Sequence, residues 1–133
     1  MSRTCIKIQS SKRHKRHLCV DASIADEFFN FINTDENHRE KFKLIAEHIL
    51  EERNIYFEGY GKEGYNQKTR HVTAMKFFKG GKNVRVYCSE VKTADGVFFV
   101  IAAKFLPKKK VQQNDKKIKE FIKSVADYEY QVK

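Results

Sequence analysis

Hydrophobic and polar positions repeat with two different periods along this chain of 133 residues, and each change of period marks a predicted element. At the N-terminus, the residues CIKIQ (5–9) alternate between apolar and polar, as in a half-buried strand. The stretch SSKRHKRH follows, and its polar, basic composition predicts a loop or the turn of a hairpin. We therefore interpret residues 1–22 as a basic strand and loop.

A helical period begins at Ser23, which resembles the start of a capping box with Asp26. The apolar residues that follow fall on one helical face: Ile24, Phe28, Phe31 and Ile32. A second apolar stripe comes after Asn33-Thr34-Asp35 and consists of Phe42, Ile45, Ala46, Ile49 and Leu50. Two amphipathic helices in tandem predict a helical hairpin over residues 23–54.

Residues 55–71 contain three glycines, and we interpret them as a long loop with a short strand at 55–58. The period then changes to two in the runs TAMKFF, NVRVYCSEV and GVFFVIAAKF, which are separated by the short turns KGGK and KTADG. This pattern predicts an antiparallel sheet over residues 72–107. The third run is apolar on both faces, which is typical of a central strand covered on both sides.

A proline at position 107 breaks the chain, and a closing helix is predicted over residues 114–130, capped by Asn114 or Asp115. The predicted order is an N-terminal strand, a two-helix hairpin, a three-stranded antiparallel meander and a C-terminal helix. This order indicates the α+β class. The length fits a single domain over residues 1–133.

The net charge of +10 is unevenly distributed, with +6 in residues 1–17, −6 in residues 18–66 and +10 in residues 67–133. Such an asymmetry suggests a cationic surface built from both ends of the chain and attractive to polyanions, although a solvated surface explains it equally well. The three cysteines have no C-x-x-C spacing, so neither a disulfide framework nor a zinc site is predicted. We expect a cytoplasmic protein without a metal, cofactor or membrane segment.

The segment GYGKEG (59–64) matches the G-x-G-x-x-G pattern of dinucleotide sites. That mechanism requires a preceding strand and a following helix, and no helical stripe follows here, so a loop is the better interpretation. In NVRVYCSEV, alternation places Arg85 and Tyr87 on one face of a strand. A lone arginine in a strand is usually solvated or ion-paired. Lys76 and the lysines after Pro107 could join it, and such a cluster favours a phosphate-rich ligand that relieves the repulsion.

Three segments together resemble the RelE/HigB group of bacterial toxins from type II toxin–antitoxin systems: MKFFKGGKNVRVYCSEV, GVFFVIAAKFLPKKK and KSVADYEY. The family has a strand pair of the form lyElRf…yRvfy, an apolar strand that runs into F-x-KK, and a final helix that ends in A…R…DY. Lys76 stands where the first strand has arginine, whereas Arg85 matches the arginine of the second. Phe105 and the lysines after it match the lysine turn, and Asp127-Tyr128 matches the helix ending. AMK replaces the usual ElR.

The resemblance implies a RelE-like fold that enters the ribosomal decoding site and cuts messenger RNA without a metal, with a cognate antitoxin, of the helix-turn-helix type, as inhibitor. The expected catalytic residues are Lys76, Arg85, Lys108, Lys109 and Tyr128. The expected RNA-binding residues are Lys104, Lys110, Arg13, Lys15, Arg16, His71 and Tyr87. Two alternatives stay open: a non-catalytic protein that binds nucleic acid or the ribosome, and a ParE-like gyrase inhibitor.

Overall fold

Along the described residues of the chain, three strands precede two helices, four more strands follow, and a helix and a short strand come last. The computed structural model describes residues 2–51, 58–77, 84–106 and 115–132. Its strands are β1 (Ser2–Arg3), β2 (Cys5–Ser10), β3 (Arg16–Asp21), β4 (Tyr60–Lys62), β5 (Val72–Lys76), β6 (Arg85–Lys92), β7 (Phe98–Leu106) and β8 (Glu129–Tyr130). Its helices are α1 (Ala25–Ile32), α2 (Glu36–Leu50) and α3 (Asp115–Ala126), with a 3-10 turn at Ala22–Ile24. The α+β class is confirmed.

Six strands form one mixed sheet in the order β2-β3-β7-β6-β5-β4. The pair β3 and β7 is parallel, and the other neighbours are antiparallel. Strand β7 lies inside the sheet between β3 and β6, so the prediction of a central strand with two apolar faces is confirmed. Outside this sheet, β1 and β8 pair in parallel and bring the two ends of the described chain together.

Helices cover both faces of the sheet. We call the side packed by α1 and α2 the first face, where Phe28 and Ile45 share a core with Val86 and Val100. The side packed by α3 is the second face, where Val125 joins a separate core. None of the described helices is long and apolar enough to cross a membrane.

The N-terminal region contains a strand that the sequence pattern did not predict. Only residues 11–15 form the turn of the basic segment, whereas Arg16 already belongs to β3. This strand is buried because it lies between β2 and β7. Its apolar stretch, Leu18 to Val20, is too short to stand out beside the basic turn, so the prediction of a loop up to residue 22 was wrong. The alternative prediction, the turn of a hairpin, is confirmed by the antiparallel pairing of β2 with β3.

Local details differ at four other places. Asp21, not Ser23, caps the first helical turn, since its carboxylate accepts hydrogen bonds from the Ser23 backbone N–H and hydroxyl. The predicted loop contains β4, an edge strand paired with β5. In the predicted strand at 55–58, Glu58 lies in a turn and residues 55–57 lie outside the described residues. The last helix ends at Ala126 rather than at residue 130.

The glycine pattern at 59–64 is followed by turns and then by β5, without a helix. Gly64 has a structural reason to be glycine, because a Cβ there would lie 2.1 Å from the carbonyl oxygen of Thr69. At Gly61 nothing lies within 4 Å of such a Cβ. The close approach at Gly64 fixes the path of the loop that precedes β5.

Candidate functional site

The second face carries a row of polar side chains where β5, β6 and β7 approach their common end. Arg85 is the direct cross-strand partner of Lys76, and Tyr87 is the partner of Lys104. Residues that alternate by two along a strand share a face, so Arg85 and Tyr87 project together toward α3. The predicted pairing of Lys76 with Arg85 on one face therefore exists.

A β-bulge brings Lys104 to the same face. Tyr87 pairs with Lys104 and Cys88 with Ala102, which leaves Ala103 as an extra residue in β7. The bulge shifts the alternation by one, so Lys104 turns to α3 instead of the first face. Its Nζ lies 3.4 Å from the hydroxyl of Ser124 and 4.5 Å from the ring centre of Phe121.

Glu63 supplies the carboxylate of the site. It lies in the loop between β4 and β5, where one oxygen accepts a hydrogen bond from Arg85 Nη1 and the other lies 3.5 Å from Lys76 Nζ. Only 15% of the Glu63 and Arg85 side chains is exposed, against 32% for Lys76. We call Glu63, Lys76, Arg85 and Tyr87 the Glu63 site. Two cations and one carboxylate leave it with a net positive charge.

Two buried polar atoms of the Glu63 site have no hydrogen-bond partner among the described residues: Arg85 Nε and the Tyr87 hydroxyl. Burial, followed by the charge of Glu63, raises the pKa of Tyr87 to about 12, against the opposing effect of Arg85. The hydroxyl is therefore protonated at neutral pH and can donate. An unpaired buried polar group costs about 1–3 kcal/mol.

Helix α3 packs against the side chains of the Glu63 site. Phe121 packs against Tyr87 with ring centres 5.1 Å apart, and it also lies below Lys104. At the end of α3, His71 Nε2 donates to the carbonyl oxygen of Ala126 at 3.2 Å. His71 thus contacts the end of the helix, and its visible role is to anchor α3 to β5.

Tyr128 lies in a different group of side chains. Its ring is 4.1 Å from the Arg3 guanidinium, beside Tyr130. Arg3 and Tyr130 both donate to the buried carboxylate of Asp21 at 2.7 Å. Burial acts to raise the pKa of Asp21, but the hydrogen bonds from Arg3, Tyr130 and Ser23 outweigh it and hold the pKa below its ordinary value. This group ties β1 and β8 to the end of β3.

The predicted basic residues of the N-terminal segment lie far from the Glu63 site. Arg16 pairs with Phe98 at the start of β7, whereas Arg85 pairs with Leu106 at its end. Eight residue steps separate Phe98 from Leu106, about 26 Å at roughly 3.3 Å per residue. Arg13 and Lys15 lie in the turn before Arg16, so the structure does not bring these three residues to Lys76 and Arg85. The predicted residues Lys108, Lys109 and Lys110 lie outside the described residues.

Glu63 is the residue that sequence reasoning missed. It stands 22 positions from Arg85 in a glycine-rich loop, where no period indicates which way a side chain points. The available signal was weak: an acidic residue near a sheet face predicted to be strongly cationic. Comparison with protein-family models, with curated proteins and with solved structures finds no match for this chain.

Proposed function

We propose that this chain is the toxin of a bacterial type II toxin–antitoxin system, with a RelE-like fold, and that it cuts messenger RNA on the ribosome without a metal ion. The observation that carries the proposal is the Glu63 site, where a carboxylate lies between two cations beside a buried, unpaired hydroxyl. Once the additional strands β1, β2, β4 and β8 are set aside, the order of β3, α1, α2, β5, β6, β7 and α3 agrees with the order expected for the RelE/HigB group, which supports the proposal. A cognate antitoxin and a cytoplasmic location belong to the same proposal.

In this proposal Glu63 is the general base. RNA can be cleaved by its own 2′-OH, which must lose a proton as it attacks the adjacent phosphorus. The Glu63 carboxylate, which contacts Arg85 and Lys76, is the group of the site that can accept that proton. The bond from phosphorus to the 5′ oxygen then breaks, which gives a 2′,3′-cyclic phosphate and a 5′-hydroxyl.

Lys76 and Arg85 would hold the scissile phosphate. Their positive charge stabilises the negative charge that builds up on the phosphate oxygens in the transition state, and such a donor contributes about 10²–10³ in rate. A bound phosphate would then share these two cations with Glu63.

The leaving 5′ oxygen needs a proton, and Tyr87 is the donor that we assign; because its side chain is fully buried, the site has to open before RNA reaches the hydroxyl. Its hydroxyl is protonated at neutral pH, and the charges of Glu63 and Arg85 both act on its pKa. The hydroxyl has no hydrogen-bond partner among the described residues. Tyr128, the donor that the family resemblance implies, lies beside Arg3 instead. This assignment places base, cations and acid on one face of the sheet.

Expression in bacterial cells tests the proposal. We expect the wild-type chain to stop growth and to fragment translated messenger RNA, and Arg85→Ala to lose both effects. Lys43→Ala, which removes an exposed cation on α2, serves as the control and is expected to behave as wild type. If the wild type and Arg85→Ala both leave growth and messenger RNA intact, the nuclease proposal fails. RNA binding without cleavage would then favour a binding protein, and DNA supercoiling damage with intact messenger RNA a gyrase inhibitor.

A further inference from the structure

Two cysteines lie side by side on the second face of the sheet. Leu18 and Val20 of β3 belong to the core of the first face, so Cys19 between them points to the second face. Cys5 in the adjacent strand β2 is its diagonal neighbour, because Cys5 pairs with Asp21, two positions further along β3. The two thiols share a hydrogen bond. The β2–β3 hairpin thus holds two thiol groups in contact.

A pocket of about 360 Å³ lies beside both thiols. Cys5 and Cys19 form part of its wall together with Lys7, Phe99 and Gln131. Cys5 is half-buried, whereas Cys19 is buried. A small molecule can therefore reach Cys5 first, and Cys19 lies where it can react with whatever becomes attached to the Cys5 sulfur.

The segment that follows β8 lies over the pair. The Cys5 thiol donates a weak hydrogen bond to the carbonyl oxygen of Gln131 at 3.9 Å, and the Gln131 backbone N–H donates to the carbonyl oxygen of Arg3 at 3.1 Å. Cys19 packs in a small core with Phe99. Both thiols are held in place before any reaction, which lowers the entropy cost of joining them.

The third cysteine lies too far away to take part. Cys88 is in β6, which is separated from β3 by β7, and its side chain belongs to the core of the first face. It is fully buried, and its thiol donates to the carbonyl oxygen of Val86 at 3.5 Å. Of the three cysteines in the chain, only Cys5 and Cys19 can therefore bond to each other within one molecule, and Cys88 serves as an internal control.

We propose that Cys5 and Cys19 form a reversible disulfide in exchange with a small disulfide such as oxidised glutathione. The Cys5 sulfur attacks one sulfur of glutathione disulfide, and the first glutathione leaves as a thiolate that takes up the proton of the Cys5 thiol. Cys19 then attacks the Cys5 sulfur of the mixed disulfide, and the second glutathione leaves in the same way. Two protein thiols are oxidised and one glutathione disulfide is reduced to two thiols. This chemistry does not rest on the proposed cleavage of RNA.

The structure favours a labile bond over a permanent one. Burial raises the pKa of both thiols, that of Cys19 to about 12, although the charge of Lys7 acts in the opposite direction. Both are protonated at neutral pH, so the reduced pair persists until an oxidant becomes abundant. Diagonal neighbours have Cα atoms about 7–8 Å apart, more than the roughly 4.4–6.8 Å of ordinary disulfides. The strands must approach each other to form the bond, which makes it easier to reduce.

Strand β2 is placed to make that approach. It is an edge strand of the described six-stranded sheet, and its register shifts between Lys7 and Gln9. A strand bonded on one side is held less firmly than a central one. In the oxidised form β2 is tied covalently to β3 beside Asp21, which also binds Arg3 and Tyr130. The disulfide therefore joins the hairpin to the group that holds β1 and β8.

Peptide mapping of the full-length protein tests the proposal. The protein is incubated with oxidised glutathione, quenched with acid and digested with trypsin without reduction. Cleavage after lysine and arginine releases Cys5 in peptide 4–7, Cys19 in peptide 17–39 and Cys88 in peptide 86–92. We expect peptides 4–7 and 17–39 to be linked, the intact mass to fall by about 2 Da for the two hydrogens lost, and dithiothreitol to reverse both changes.

Single variants provide the controls: Cys88→Ser should form the link as the wild type does, whereas Cys5→Ser should not lose the two hydrogens. The proposal is wrong if all three thiols stay free, or if a glutathione adduct on Cys5 persists without the linked peptide. It is also wrong if peptide 86–92 is linked as often as peptide 17–39, or if the link joins two copies, which a dimer band on a non-reducing gel would reveal. Each of these outcomes is read from the wild-type protein, so the test does not depend on the folding of a variant.

Discussion

The hydroxyl of Tyr87 connects the stability of this fold with its proposed chemistry. It is fully buried and has no hydrogen-bond partner among the described residues. Tyr87→Phe removes the hydroxyl but keeps the ring that packs on Phe121. An unpaired buried hydroxyl costs about 1–3 kcal/mol. We expect the free energy of unfolding to rise by about 1 kcal/mol, near the low end because the Arg85 guanidinium attracts the hydroxyl dipole.

The matched control is Tyr130→Phe, which should change stability in the opposite direction. The Tyr130 hydroxyl donates to Asp21 at 2.7 Å, and the Asp21 side chain is only 3% exposed. A hydrogen bond to a charged group contributes about 1.5–3 kcal/mol, so we expect a loss of about 2 kcal/mol. The two variants make the same chemical change at a fully buried tyrosine of the six-stranded sheet and at a partly buried one in β8.

Urea denaturation followed by circular dichroism measures both effects, since a change in midpoint with an unchanged slope reports stability alone. Cleavage of messenger RNA on translating ribosomes, measured with the same proteins, should fall by about 10²-fold or more for Tyr87→Phe, the range for a lost general acid. A variant that is more stable and less active is the expected signature. If Tyr87→Phe destabilises the protein as much as Tyr130→Phe does, the hydroxyl has a partner and the reasoning is refuted.

Two further predictions concern the supports of the site. Gly64→Ala should lower the free energy of unfolding by about 2 kcal/mol, since the added Cβ meets the Thr69 carbonyl. Gly61→Ala should change it little, because nothing lies within 4 Å of a Cβ at that position. Equal midpoints of the two variants in thermal melting would contradict this prediction. Because the folded-state pKa of Asp21 lies below its unfolded value near 3.9, the ionised carboxylate stabilises the fold above that pH, and this stabilisation is lost as pH falls through the folded pKa. Asp21→Asn should therefore flatten the acid side of the stability profile, and an unchanged profile in urea titrations at several pH values would exclude this role.

The sequence predicted those parts of the structure that depend on local periodicity. The double-sided apolar run of β7 identified a central strand, and alternation in β6 placed Arg85 with Tyr87. These inferences succeed because strand geometry fixes which residues share a face. Alternation alone fails for Lys104, because the bulge at Ala103 reverses its direction, and a bulge leaves no trace in the hydrophobic pattern.

The remaining features depend on contacts between distant parts of the chain. Strand β3 takes its place from parallel pairing with β7, about 80 residues away, so its short apolar stretch carried too little local signal. Glu63 reaches Arg85 from a loop that passes so close to Thr69 that only glycine fits at position 64. The N-terminal cations were expected to join Arg85 through charge alone, but charge attracts polyanions without specifying where a strand ends.

The most direct test of the account compares Glu63→Gln with Glu90→Gln in single-turnover cleavage of messenger RNA on translating ribosomes. Both carboxylates are ion-paired to a lysine and have similar exposure, 15% for Glu63 and 16% for Glu90. The substitution keeps the size of the side chain, but it replaces one accepting oxygen by an NH₂ donor and removes the negative charge. We expect a loss of about 10²–10⁴ in rate for Glu63→Gln and wild-type cleavage for Glu90→Gln. Equal cleavage by the two variants and the wild type would contradict the assignment of Glu63 as the base.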